Sequence, residues 1–420
     1  MTAKGSLGRN TLCLAAVSSV LCHAALAAQP NEKKEEHLYF SEQFLYDSNL
    51  FRRGETGDVI PGSPIDPDAT VPRQAVSTED YVNRITVGAG NDFHMGQQTL
   101  RLKGRVYDAR YRENDYLNYT GGDASAAFDF HALTALSGRL SGAYTRTLAD
   151  FANTLGSDQD IIETTNYSAL VRWAIGPRWS VTAGGSRIGT EHSLNRRRAE
   201  NLEADVGRVS IDYATPSFHS FGVEYRYMDA KFPNAVVAPG ASASNSDFEE
   251  NSMQARFTYT ATVRTQFRVS AGYIERERPA DPRGRYSGDT WRAEIDWKPR
   301  EKFSLLFAAW SELKAFTDVE SDYFISDGYS ISPTWSPTEK VSFALTASYE
   351  DQEYLNTRDI ELIGGQRQDE LLTGLFTLTY KPRDPLAIEL SYRGIDRNSN
   401  RDIRRFDAQV AGISLRWSVF

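Results

Sequence analysis

The sequence of 420 residues predicts an all-β fold: a transmembrane antiparallel up-and-down β-barrel of about 16–18 strands, with short periplasmic turns and longer extracellular loops. Three observations predict it. Segments of about ten residues alternate apolar and polar side chains, short turns recur between them, and beyond the first residues no apolar run is long enough for a membrane helix. The segment from Thr290 to Leu313 shows the repeating unit. Trp291, Ala293, Ile295 and Trp297 share one parity, and Thr290, Arg292, Glu294 and Asp296 the other. Successive side chains on a strand point to opposite faces, so one face is apolar and the other charged. Pro299 presets φ and cannot donate to a ladder, which makes Lys298 to Lys302 a turn. Phe303, Leu305, Phe307 and Ala309 carry the apolar parity back.

The same plan recurs. Gly176-Pro177, Thr215-Pro216, Lys298-Pro299, Ser336-Pro337 and Lys381-Pro382 each separate two alternating segments. Further turns are expected near His94-Met95-Gly96, His131-Ala132-Leu133 and Ala261-Thr262-Val263. A regular period signals repeated supersecondary units. A propeller has a similar period, but its blades have no lipid-directed face of aromatics and aliphatics. The eight short turns join sixteen strands, and a first strand (38–51) and a last (405–420) bring the count to eighteen. An even count puts both termini on the periplasmic side. Longer polar loops are expected at Arg52–Glu79, Pro233–Glu250, Glu277–Gly288, Glu353–Gln368 and Arg397–Arg404. The first, with Pro61, Pro64, Pro67 and Pro72, is stiff enough to fold into the mouth as a gate.

Residues 1–28 have the pattern of a secretory signal peptide: Lys4 and Arg9, then an apolar run, then Ala25-Leu26-Ala27. Residues 29–37 form a charged lead-in, and 38–420 the barrel. Both cysteines, Cys13 and Cys22, precede the barrel, so it has no disulfide, thiolate nucleophile or cysteine metal site. The formal charge is -9, whereas nucleic-acid binding wants a basic domain. His94, His131, His192 and His219 lack metal spacing or a partner serine motif. No catalytic, cofactor or metal site is therefore expected.

Aromatics make up 12% of the chain and sit mostly on the apolar parity. Trp173, Trp179, Trp291, Trp297, Trp335 and Trp417 are expected near strand ends, as interfacial girdles. The chain ends on Phe420, one residue out of register with Ile413, Leu415, Trp417 and Val419. This ending resembles the signal by which barrel-assembly machinery recognises its clients. Together with Glu42-Gln-Phe-Leu-Tyr-Asp-Ser-Asn-Leu-Phe-Arg52 and the Pro-turn hairpins, it resembles the EpsL family of outer-membrane barrels associated with exopolysaccharide biosynthesis. The resemblance implies export of a polysaccharide, with a periplasmic export apparatus as partner and lipopolysaccharide around the barrel.

The charged parity is expected to line the path. Its residues are Arg101, Lys103, Arg105, Arg139, Arg172, Arg208, Arg226, Arg256, Arg292, Glu294, Asp296 and Arg393. Basic rungs would attract an anionic polymer, while pairing across strands is the simpler role for any one of them. Arg101, Lys103 and Arg105 stand out because no acid interleaves them on their own strand face, and Tyr107 and Tyr111 beside them could stack on sugars. A general or nutrient-specific diffusion porin is the second reading, distinguished by trimerisation and by an inward constriction loop; a structural or hydrolytic barrel is the third.

Overall fold

The computed structural model describes residues 38–54, 77–153, 156–217, 219–235, 246–280, 285–315, 323–355 and 365–419. Within them run eighteen strands. The first six are β1 (Leu38–Asp47), β2 (Asp80–Met95), β3 (Gln98–Tyr111), β4 (Tyr119–Leu133), β5 (Leu136–Leu148) and β6 (Ile161–Ile175). Then come β7 (Trp179–His192), β8 (Leu202–Ala214), β9 (Ser220–Lys231), β10 (Phe248–Thr262), β11 (Thr265–Glu277) and β12 (Tyr286–Arg300). The last six are β13 (Phe303–Ala315), β14 (Tyr323–Trp335), β15 (Val341–Leu355), β16 (Gln368–Arg383), β17 (Leu386–Ser399) and β18 (Phe406–Val419). Each pairs antiparallel with its sequence neighbours, and β1 pairs with both β2 and β18, so the sheet closes.

All eight expected turns are present, and two of their prolines sit at irregularities rather than turn tips. Lys298-Pro299 lies where the β12–β13 register shifts between Trp297 and Arg300, and Lys381-Pro382 where β16–β17 shifts between Tyr380 and Arg383. A residue without an N–H fits such a break in the ladder. The first strand is shorter than expected because Asp47 starts a turn. Its carboxylate accepts the Asn49 amide at 3.0 Å and grips Arg52 through both oxygens at 2.7 and 2.8 Å. Asn49 in turn binds the carbonyls of Arg53 and Asp407, each at 2.8 Å.

Parity sorts the side chains as the alternation requires. Phe221, Val223, Tyr225 and Tyr227 on β9 face outward and exposed, as do Ile413, Leu415, Trp417 and Val419 on β18. Trp173, Trp179, Trp297, Trp335 and Trp417 are outward near the short turns, whereas Trp291 sits mid-strand on β12. Residues 1–37, most of the Pro-rich loop and Phe420 lie outside the described residues, and with them the signal peptide, the lead-in, the proposed gate and the terminal aromatic.

Two adjacent positions on β14 separate the faces experimentally. Ile331→Arg puts a cation against lipid near mid-strand and is expected to cost about 2–4 kcal/mol of folding free energy. Ser330→Arg puts the same charge in the lumen and should cost under about 1 kcal/mol. Denaturant titration of folding into lipid vesicles reads both; equal costs would contradict the assignment of faces.

Candidate functional site: a narrowed, charged lumen

All twelve residues named from the charged parity project to the inner face. The registers show it: Arg101 pairs with Asp92 and Ala127, Arg139 with Asp129, Arg208 with Arg226, and Arg292 with Ser270 and Trp310. Most are not free. Arg101 binds Asp92 at 2.9 Å and also Asp129, which Arg139 shares; Arg105 binds Asp123. Arg256 bridges Asp212 and Glu224 at 2.9 and 2.7 Å. Glu294 accepts from Arg268 and Arg292, both at 2.8 Å, Asp296 faces Lys298 at 3.7 Å, and Arg226 reaches Glu250 at 3.5 Å. The expectation of an acid-free rung at Arg101–Arg105 is therefore corrected. Its acids come from β2 and β4, where single-strand inspection does not look.

Four cations remain. Among the described residues, Lys103, Arg172, Arg208 and Arg393 make no hydrogen bond or ion pair. They sit on β3, β6, β8 and β17, so the free positive charge is spread around the lumen. The wall from β14 to β17 adds hydroxyls among its charges: Ser330, Ser332, Thr346, Ser348, Thr377 and Ser391 face inward. Nothing in a charge-based reading of the sequence pointed to this wall. Trp310 was also missed. It faces inward and is buried, its indole N–H donating to the Ser326 hydroxyl at 3.0 Å, with Arg292 and Lys314 over its ring.

The mouth is narrowed by the segment between β5 and β6. Its helical turn Phe151–Asn153 reaches inward to β17, where Arg397 Nη1 donates to the Ala152 carbonyl at 2.5 Å. Ala152 also packs against Ile395, Phe406 and Ala408. Since β5 and β17 are separated by β4, β3, β2, β1 and β18, this strap spans a chord of the barrel. Phe151 meets Phe51 edge-on at 4.8 Å within an apolar cluster that also holds Leu50, Val82, Tyr107 and Tyr111. Tyr107 and Tyr111 are thus packing residues beneath the strap rather than exposed stacking platforms.

The strap's return end is pinned by Asp160. This buried carboxylate accepts from His192 Nδ1 at 2.7 Å, Arg197 Nη1 at 2.8 Å and the Leu194 amide at 3.1 Å. Burial alone would raise its pKa. The hydrogen bonds of His192 and Leu194 and the charge of Arg197 outweigh it and hold the carboxyl below the usual carboxylate range. The segment before β4 adds two ties: Tyr116 donates to the Ser157 carbonyl at 2.9 Å, and the Asn118 carbonyl accepts from Gln159 Nε2 at 3.0 Å.

Known proteins resemble this barrel in two ways, in sequence over its C-terminal part and in fold over nearly its whole length. Residues 255–419 match the family model described as "Putative beta-barrel porin 2". No curated protein matches the chain. Among solved structures, Pseudomonas aeruginosa OccK2 (OpdF) in complex with glucuronate is similar at a TM-score of 0.50 and 8% identity, over 91% of this chain and 98% of that one. A BenF-like porin from Pseudomonas fluorescens Pf-5 gives 0.50 and 8%, over 92% and 99%. The chain is a porin-like β-barrel of the outer-membrane type. The expected kinship with the EpsL family is overturned by the porin family match, and polysaccharide export loses its support with it. The stretch 42–52 that suggested it is explained locally, as a strand ending in a self-capped turn.

Replacing Asp160 with Asn should weaken the strap by about 1–3 kcal/mol and raise open-channel noise in planar bilayers. Because the Asp160 carboxyl is depressed in the folded protein, its contribution is complete above the ordinary carboxylate pKa and is lost as pH falls through the depressed value. The wild type should therefore become noisier at strongly acid pH, while the Asn variant shows no such step. A wild-type trace unchanged on acidification would count against the pin.

Proposed function

We propose that the protein is a passive diffusion channel for small anionic solutes, of nutrient size rather than polymer size. The observation that carries this is that four of the twelve named lumen residues, Lys103, Arg172, Arg208 and Arg393, are cations without acid partners, on the path below an inward strap. Paired arginines present little net field, whereas an unpaired one attracts an anion along the path. The remaining named residues, Arg101, Arg105, Arg139, Arg226, Arg256, Arg292, Glu294 and Asp296, line the same path as paired rungs that hydrate it and set its bore. The hydroxyl wall from β14 to β17 offers donors and acceptors to a passing solute, which suits carboxylates that also carry hydroxyls. The solved relative in complex with glucuronate is consistent with that class.

Reversal potentials across a planar bilayer under a salt gradient test the reading. The wild type is expected to prefer chloride over potassium. Each of Lys103→Glu, Arg172→Glu, Arg208→Glu and Arg393→Glu should lower that preference roughly threefold per unit of charge removed, since a charge about 6 Å away in water contributes about 0.7 kcal/mol. The fourfold variant should prefer cations. A wild-type channel selective for potassium would sink the proposal.

A further inference from the structure

Directly opposite residues on neighbouring strands stand about 5 Å apart at Cα, and like charges in that position repel. Among the described inward pairs, one places two cations there: Arg208 on β8 against Arg226 on β9. Arg226 reaches Glu250 at 3.5 Å, but the other oxygen of that acid is held by Arg276. Arg208 binds no acid among the described residues. Asp212 and Glu224, the other inward acids nearby, are both committed to Arg256.

A third guanidinium belongs to the same patch. Arg172 on β6 pairs with Thr182 on β7, and Thr182 pairs in turn with Ser210, two residues along β8 from Arg208. Arg172 and Arg208 therefore flank β7 diagonally, about 12 Å apart at Cα from the strand spacing and rise. Between them lies Gly184, which pairs with Arg208. Inward glycines elsewhere in the barrel lie under a large neighbour: Tyr39 covers Gly88, Tyr107 covers Gly121 and Trp310 covers Gly328. At Gly184 the nearest side-chain atom is the Cβ of Leu170, 3.5 Å from where a Cβ would stand. The wall is thus open at the centre of the three arginines, and Thr182 and Ser186 border the opening along β7 on the same inward face.

We propose that Arg172, Arg208 and Arg226, with the hydroxyls of Thr182 and Ser186, form a stationary binding site for a doubly charged tetrahedral oxyanion, phosphate being the simplest. This rests on the reading of the lumen as an anion path and adds a place on it where the anion stops. Arg226 and Arg276 share Glu250 and so leave one positive charge, to which Arg172 and Arg208 add two. A dianion offsets more of that charge than a monoanion does, and it relieves the repulsion that the register imposes between Arg208 and Arg226. A guanidinium fork meets two oxygens at once. A tetrahedral oxyanion presents oxygens in three directions, toward all three forks, whereas a carboxylate presents two in one plane. The bare backbone at Gly184 leaves the seat free of any side chain of its own.

Phosphate block of the chloride current in planar bilayers tests this, at mildly alkaline pH where phosphate is a dianion. In the wild type, added phosphate is expected to lower the chloride current along a saturating curve, and singly charged gluconate should need about tenfold more for the same block. Arg172→Lys and Arg208→Lys keep the charge and lose the fork. Each should raise the half-blocking phosphate concentration about tenfold, a change that charge alone would not produce. Heat-modifiable migration on gels verifies that each variant is folded. A chloride-selective wild type with no saturating block would overturn the site and leave the diffusion reading standing. Lysine variants blocked at the wild-type concentration would overturn it too, by reducing the arginines to point charges. Saturating block in a channel that prefers potassium would uphold the site and count against the diffusion reading alone.

Discussion

Lipid offers no partner to a backbone N–H or C=O, and the rest of this structure depends on that constraint. An open sheet would leave two strand edges unpaired in hydrocarbon, at several kcal/mol per group. The chain avoids this by pairing β1 with β18 along ten residues, from Leu38 with Val419 to Asp47 with Val410. Closure makes the two faces of every strand chemically distinct, one to lipid and one to the lumen. A one-residue slip would exchange them, so the alternation itself locks the register.

Closing eighteen strands creates a second problem, because the enclosed space is too wide to be filled by wall side chains. The molecule fills it from the mouth instead. The strap at Phe151–Asn153 crosses to Arg397, its underside packs on the apolar cluster around Phe51, and its return is held at Asp160. Wall charges meanwhile pair with acids on the adjacent strands, which keeps long arginines ordered across a hydrated bore.

What the sequence showed follows from what is local. Turn chemistry and period-two alternation act within a few residues, and through them all eight hairpin turns, eighteen strands and the outward face of the Trp291–Phe307 hairpin were legible. Interactions between residues distant in sequence were not. The acids at Asp92, Asp123 and Asp129 neutralise a rung that looks bare on β3 alone, and the strap's contact with β17 joins residues 245 positions apart. The inward turn of Trp310 follows from its parity, but an isolated aromatic beside an apolar run reads as part of that run. The likeness to EpsL rested on a short stretch whose residues build a turn, and turn-building residues say little about cargo.

Pairing and narrowing together explain why so few side chains would govern passage. In a bore of this width a solute can pass a paired arginine at a distance, and the dipole of an ion pair falls off faster than the field of a lone charge. Arg393 has no acid bound to it, yet it lies near the strap, close enough to Asp150 for their charges to interact. The strap thus brings an acid of its own to the wall where one of these cations stands. Selectivity in this arrangement resides in the few charges the sheet leaves uncompensated, rather than in the number of arginines the lumen displays.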